Sequence, residues 1–364
     1  MNSFWHGKKV LITGHTGFKG SWLACWLQHL GAEIYGYSLV PPSDPSHYEL
    51  LNLDIHSTIG DIRNLEALKK AISDAKPEIV FHLSAQAILR LSYKEPVNTF
   101  STNVMGTLNV FEACRASSEV RAIINVTSDK CYENREWDRG YHESDRMGGH
   151  DPYSASKGCS ELLTSSYRNS YFDNERYGKD HNILLASCRA GNVIGGGDWA
   201  VDRLIPDMMR GASSNSSVEI RNPHFTRPWQ HVLEPLSGYL QLGQKLLEGV
   251  TWFAQAWNFG PDNTESLTVK EVAEQLKQHW DRINYTFAKN TNAPHEAQLL
   301  KVDSSKAKEL LGWQPVWDSQ TSIENTVKWY KNYYINEIVN TERNIEKYKE
   351  LLDEAQRKIV HELH

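Results

Sequence analysis

At 364 residues the chain exceeds what one small hydrophobic core can organise, so one large domain or two interleaved ones are expected. Hydrophobic residues make up 40% and charged residues 23%, an ordinary balance for a soluble globular protein. The formal net charge of -6 excludes a general binder of nucleic acid or anionic membrane and leaves room for a local basic pocket around a phosphate.

The first predicted element is a buried parallel strand over residues 8–13, KKVLIT. It leads directly into Gly14-His15-Thr16-Gly17-Phe18-Lys19-Gly20 and the helical pattern SWLACWLQHL. In this order of strand, glycine turn and helix, the glycines let the backbone approach a pyrophosphate seated on the helix N-terminus, so the segment predicts a dinucleotide site. The second strand, 33–38, closes at Tyr37-Ser38-Leu39 without the acid that often meets an adenosine 2′-hydroxyl. Lys19 is basic and near, and the choice of NAD or NADP stays open on these residues. Helical residues 65–75, a strand over 78–83 running into Ser84-Ala85-Gln86, a helical signal over 96–116 and strands over 121–126 and 182–188 continue a βα alternation. That alternation predicts an α/β fold with a doubly wound parallel sheet. Ligands in such sheets bind beyond the carboxyl ends of the strands, where Gly14, Ser84, Ser128 and Asn192 fall.

The strand over 121–126 passes into Thr127-Ser128-Asp129-Lys130, and after a polar loop the chain reaches Pro152-Tyr153-Ser-Ala-Ser-Lys157. Tyr153 and Lys157 are four residues apart, so they share a helix face that Pro152 is placed to open. An ammonium near a phenol favours the phenolate and lowers the tyrosine pKa from about 10. From Arg189 the character changes to a glycine-rich connection, then a short helix over 202–207, the segment Thr226-Arg227-Pro-Trp-Gln-His231, helices over 236–248 and 268–280, and Trp257-Asn258-Phe-Gly-Pro. We expect a dinucleotide-binding domain over 1–190 with returns near 228–258, a smaller α/β substrate lobe over 191–330, and a helical tail over 331–364 that is solvated or packs as an arm. Trp199 and Trp229 are candidates for the wall of a sugar pocket or for core packing.

Cys25, Cys114, Cys131, Cys159 and Cys188 are odd in number and lack C-x-x-C spacing, which points to reduced thiols in the cytoplasm and not to a metal site. No histidine pair has H-E-x-x-H spacing, and no apolar run is long enough to span a bilayer.

Ser128, Tyr153 and Lys157, together with the G-x-x-G-x-x-G turn, resemble the Ser/Tyr/Lys triad and cofactor turn of the short-chain dehydrogenase/reductase superfamily. The longer segments VTSDKCYENREW, GNVIGGGDWAVDRLIPD, RPWQHVLEPLSGYL and WNFGP are similar to the nucleotide-sugar 4,6-dehydratases of its extended family, over residues 8–330. The resemblance implies a Rossmann-type domain that holds NAD through Gly14, Gly17, Phe18, Gly20, Asp61, Ile62, Leu83, Ser84, Ala85, Tyr153 and Lys157. Asp61 matches the position whose side chain meets the adenine amino group.

The resemblance further implies CDP-glucose as substrate and removal of water across C5 and C6. Tyr153 would take the C4 hydroxyl proton as hydride moves to the nicotinamide, Ser128 would bond the same oxygen and Lys157 would hold the ribose. The resulting ketone acidifies the C5 hydrogen. Asp129 matches the acid that protonates the departing C6 hydroxyl, for which burial must raise its pKa above about 3.9. Related enzymes place a glutamate base where this chain has Lys130, so the base is Lys130 or another group. Gln86, Asn192, Arg203 and Arg227 are implied in substrate binding, the arginines at a diphosphate, with His295 and Glu296 near the base and ribose. A homodimer through the helix of Tyr153 and its neighbour over 96–116 is implied as well, with no nucleic-acid or membrane partner. The alternatives are a nucleotide-sugar 4-epimerase, which needs no acid and base at C6 and C5, and a non-catalytic NAD-binding regulator.

Overall fold

KVLIT, IVFH, AIINV and LLASCRA are short, apolar and buried along nearly their whole length, a pattern that suits strands covered on both faces. The computed structural model, which describes residues 3–261, 267–288 and 298–362, places them in one parallel sheet. In chain order the strands are β1 (Lys9–Thr13), β2 (Glu33–Ser38), β3 (His56–Ile59), β4 (Ile79–His82), β5 (Ala122–Val126), β6 (Leu184–Ala190), β7 (Val193–Ile194), β8 (Ser217–Ile220), β9 (Thr226–Arg227), β10 (Gln230–His231), β11 (Ala256–Phe259), β12 (Leu267–Thr268) and β13 (Asn284–Phe287). The seven-stranded sheet runs β11-β6-β5-β4-β1-β2-β3, so the chain reverses its direction of travel between β1 and β4. Thr13 pairs in register with both His82 and Tyr37, which brings the loops after these strands to one level. The remaining strands form three two-stranded pieces, β7 with β10, β8 with β13 and β9 with β12.

Helices cover both faces. They are α1 (Phe18–His29), α2 (His47–Leu51), α3 (Leu65–Ala75), α4 (Leu89–Lys94), α5 (Pro96–Phe100), α6 (Gly106–Arg115), α7 (Pro152–Ser170), α8 (Leu204–Ser214), α9 (Leu233–Leu247), α10 (Val269–His279), α11 (Ser319–Asn336) and α12 (Thr341–Glu362). Leu68 and Ile72 of α3 and Val110 and Phe111 of α6 pack with Leu11, Val80 and Ile123 on one face. On the other, Trp22 and Trp26 of α1 and Leu236 and Leu240 of α9 pack with Val10, Ile12, Phe81 and Ile124. The segment expected as one helix over 96–116 is three, because Ser101–Met105 widen into a π turn between α5 and α6.

The end of the chain is a packing arm. Glu337 takes a left-handed conformation (φ 56°) and ends α11, and α12 then returns over α1 with Ile345, Tyr348 and Leu352 buried. Trp199 packs against Trp329, Tyr330 and Tyr333 of α11, and Trp229 is buried with its indole N–H on the Leu267 carbonyl. Both tryptophans therefore belong to the core. All five cysteines are free thiols, and among the described residues no helix is long and apolar enough to cross a membrane.

Candidate active site

The cofactor turn after β1 is closed tightly on itself. A Cβ on Gly14 (φ +81°) would lie 2.8 Å from the Ser84 backbone nitrogen, and one on Gly20 would lie 2.1 Å from the Gly14 carbonyl oxygen. A Cβ on Gly17 would meet nothing nearer than 3.4 Å, and this residue caps α1 with no side chain on the first-turn N–H groups and no acid in that turn. The geometry fits a diphosphate approached by backbone donors. The Thr13 hydroxyl accepts the Ser84 N–H at 3.3 Å and bonds His82 at 2.7 Å, fixing the Leu83-Ser84-Ala85 turn beside Gly14. Phe18 packs on the core next to Gly195, and Ile62 is buried against Gly106.

Asp61 pairs with Arg63 at 2.5 Å, which holds its carboxylate below the usual range. Lys19 does not face the adenosine end. Its ammonium is 3.4 Å from the Tyr239 hydroxyl of α9, and its electrostatic neighbours are Lys157, Arg203 and Asp129. Burial pulls it down to about 8. Position 19 lies in the first turn of α1, which turns it toward α9.

Beyond β5 the chain makes one turn of 3-10 helix, Asp129–Cys131, capped by Ser128, whose oxygen accepts the Lys130 N–H at 3.2 Å. The Ser128 hydroxyl donates to Asp129 Oδ1 at 2.9 Å. Asp129 is 1% exposed, its Oδ2 has no protein partner, and burial raises its pKa against the pull of Lys130, Ser128 and Arg227. This is the direction an acid at neutral pH requires. Lys130 is half-buried beside it.

Pro152 opens α7 and Asp151 caps it through the Ser154 N–H at 2.9 Å. Tyr153 thereby comes within hydrogen-bond reach of Ser128, and Lys157 donates to the Val126 carbonyl at 3.4 Å. The expected lowering of the tyrosine is outweighed. Burial pushes Tyr153 up to about 12, and the groups that pull it down are Ser128 and Arg203. Burial also takes Lys157 down to about 8.

Arg203 caps α8, pairs with Asp198 at 2.9 Å and lies within electrostatic range of Tyr153. Arg227 is buried on β9, donates to the Thr226 and Gln298 carbonyls and acts on Asp129. Asn192 is half-buried in the turn between β6 and β7. Gln86, expected at the substrate, is held within its own loop. Its amide nitrogen donates to the Ile88 carbonyl and the Thr99 hydroxyl, its amide oxygen accepts the Ile88 N–H, and its backbone bonds Asn103, so its side chain shapes the loop after β4. His295 and Glu296 lie outside the described residues. The sequence reading missed Glu161 and Arg189, a buried ion pair at 2.7 Å directly behind Ser128 and Lys157. The available signal was the spacing of Glu161, four residues beyond Lys157 and eight beyond Tyr153.

A family model described as GDP-mannose 4,6 dehydratase matches residues 11–327. The chain is 49% identical over 350 residues to a CDP-glucose 4,6-dehydratase of Salmonella typhimurium, covering 95% of this chain and 97% of that one. A CDP-paratose 2-epimerase of Salmonella typhi is 24% identical over 88% of this chain and 98% of its own length. Among solved structures, an epimerase from Methanothermobacter thermautotrophicus superposes with a TM-score of 0.79 at 22% identity, covering 95% of this chain and 97% of that one. A dTDP-glucose 4,6-dehydratase from Bacillus anthracis in complex with NAD superposes with a TM-score of 0.73 at 19% identity, covering 92% of this chain and all of that one.

Proposed function

The chain belongs to the GDP-mannose 4,6 dehydratase family, and from that premise we propose that it is an NAD-dependent hydro-lyase converting CDP-glucose to CDP-4-keto-6-deoxyglucose and water. The observation that carries the reading is the 49% identity, over almost the whole of both chains, to a relative with that activity. The geometry supports it, since a buried acid lies beside a Ser/Tyr/Lys set built from the carboxyl end of β5 and the first turns of α7, next to a glycine cradle suited to a diphosphate.

NAD held in that cradle by Gly14, Gly17 and Gly20 would supply the hydride chemistry, taking up and giving back the same hydride, so no external reductant would be consumed. Tyr153 takes the C4 hydroxyl proton as its phenolate, with Ser128 hydrogen-bonding the same oxygen. The phenol, which burial holds at about 12, must first lose its own proton, helped by the pull of Ser128 and Arg203. Lys157 holds positive charge beneath the ribose, a role its burial makes sensitive to neighbouring charge. Once C4 is a ketone, Asp129, whose pKa burial raises, gives its proton to the departing C6 hydroxyl. Lys130 stands beside it as the candidate for taking the C5 proton or stabilising the enolate oxygen. Arg203, Arg227 and Asn192 receive the diphosphate, for which the planar, multi-donor arginine heads are suited. An epimerase needs no acid at C6, so the burial of Asp129 beside Ser128 favours the dehydratase.

The same reading places the protein in the cytoplasm as a homodimer. Pro96, Val97, Phe100, Val104 and Met105 gather around Cys159 in an apolar surface, with Val97 82% exposed, and a second copy laid across it would bury these side chains. Gel filtration at micromolar concentration giving a monomer would refute the dimer. The activity is tested by incubating the purified protein with NAD and CDP-, dTDP-, UDP- or GDP-glucose and reading each mixture by mass spectrometry. Loss of one water from the CDP sugar alone is the expected result, and loss from another nucleotide sugar alone overturns the substrate.

A further inference from the structure

Glu161 of α7 lies on the same helix face as Tyr153 and Lys157, two turns beyond the first and one beyond the second, where side chains recur at four-residue intervals. It is 4% exposed, and each of its oxygens is engaged. Oε1 accepts the Thr127 hydroxyl at 2.5 Å, and Oε2 accepts the Ser187 hydroxyl at 2.8 Å and Arg189 Nη2 at 2.7 Å. Arg189, at the end of β6, reaches the opposite way. Its Nη1 donates to the Tyr132 hydroxyl at 2.8 Å and to the Glu143 carbonyl at 3.0 Å, and the Tyr132 hydroxyl donates in turn to Asn258 of β11 at 2.7 Å.

Thr127 and Tyr132 flank the segment Ser128–Cys131. The ion pair therefore grips the turn that carries Ser128, Asp129 and Lys130 at both ends and ties it to α7, β6 and β11. Two fully desolvated charges are costly to bury unless they are paired and hydrogen-bonded, and this pair is bonded to four further protein groups, with Arg189 Nε alone left without a protein partner. Such an arrangement is weak evidence for stability and better evidence for specification of one geometry.

We propose that Glu161 and Arg189 are positioning residues of the dehydration reaction: the pair sets the Ser128–Lys130 turn against Tyr153. The inference rests on the dehydratase reading of this same site.

Lys157 is faced by Glu161 and Tyr153 on its own helix, by Cys131 from the catalytic turn, by Lys19 from α1 and by His82 from β4. His82 is held neutral by burial, down to about 3, and burial raises the Cys131 thiol beyond the physiological range. Lys19 is a like charge. Glu161 is therefore the anion that opposes desolvation of Lys157, and it is the largest influence in that direction. Removing its charge lets Lys157 lose its proton at lower pH.

The test compares the parent with Glu161→Gln, Arg189→Met and the double variant. In each, the titration of Lys157 is followed by NMR of 13C-labelled lysine side chains, assigned through Lys157→Arg, alongside thermal melting and the pH dependence of kcat and KM for CDP-glucose. Each single variant leaves a buried charge unpaired and melts lower. The double variant recovers most of that loss, yet kcat falls by about tenfold or more because the turn is no longer held against Tyr153, and Lys157 titrates lower than in the parent. The alkaline limb of kcat moves down by the same amount, with KM within about twofold. A double variant with the parent's kcat, or one whose loss lies in KM alone, overturns the proposal. Because the NMR titration needs no turnover, a parent that dehydrates nothing sinks the dehydratase reading without deciding what Glu161 does to Lys157.

Discussion

Asp129 and Glu234 are both carboxylates shut away from solvent, at 1% and 0% exposure, and the fold treats them in opposite ways. Glu234, in the first turn of α9, accepts the Trp317 N–H at 2.7 Å, the Val316 N–H at 3.0 Å and the Tyr348 hydroxyl at 2.7 Å, so it fastens α12 and the start of α11 to the sheet-facing helix. Asp129 has one oxygen on Ser128 and the other with no protein partner, and burial holds its pKa up. Where backbone and phenol donors converge, a buried carboxylate is a fastener. Where they are withheld at the end of a strand, it keeps proton-donating capacity that a reaction can use.

That contrast predicts that variants on the catalytic side lose activity while keeping the fold, and that variants on the Glu234 side do the reverse. The largest effect is expected for Tyr153→Phe, with kcat lower by about 10²- to 10⁴-fold and an unchanged melting temperature. Retention of more than a tenth of parental turnover would remove Tyr153 from the chemistry.

Asp129→Asn should lower kcat by about 10²-fold or more and also change stability with a definite sign. The folded-state pKa of Asp129 lies above its unfolded value of 3.8, so the protonated group's contribution is present below that value and is lost as pH rises through the folded pKa. Asparagine cannot ionise. The variant should therefore match the parent at low pH and melt above it at pH 8, and a gap that narrows with rising pH would contradict the assignment.

On the other side, Glu234→Ala removes the acceptor of the Trp317 and Val316 N–H groups and the shorter of the two bonds of the Tyr348 hydroxyl, and should cost about 3 kcal/mol by denaturant titration, with kcat of the folded fraction nearly unchanged. Tyr348→Phe removes one of those bonds and should cost about 1 kcal/mol, again without a kinetic effect. If either variant altered kcat more than stability, the division between the two regions would fail.

Much of this was legible in the chain itself. Apolar runs of strand length separated by helical periods specify a parallel α/β sheet, because only buried strands can be apolar at every position and only crossovers of that length can join them in parallel. Gly14, Gly17 and Gly20 and the spacing of Tyr153 and Lys157 are likewise local properties, fixed by backbone sterics and by the helical repeat. Tertiary structure decided which long-range partners each group meets. The turn of α1 toward α9 sent Lys19 to the catalytic side, Arg63 claimed Asp61, the loop after β4 enclosed Gln86, and α11 absorbed Trp199. Above all it brought Arg189, from the far end of β6, onto Glu161, and it set the balance of burial and charge that raises Tyr153 and Asp129. Desolvation and Coulomb interactions depend on distance in space, which residue spacing along the chain does not encode.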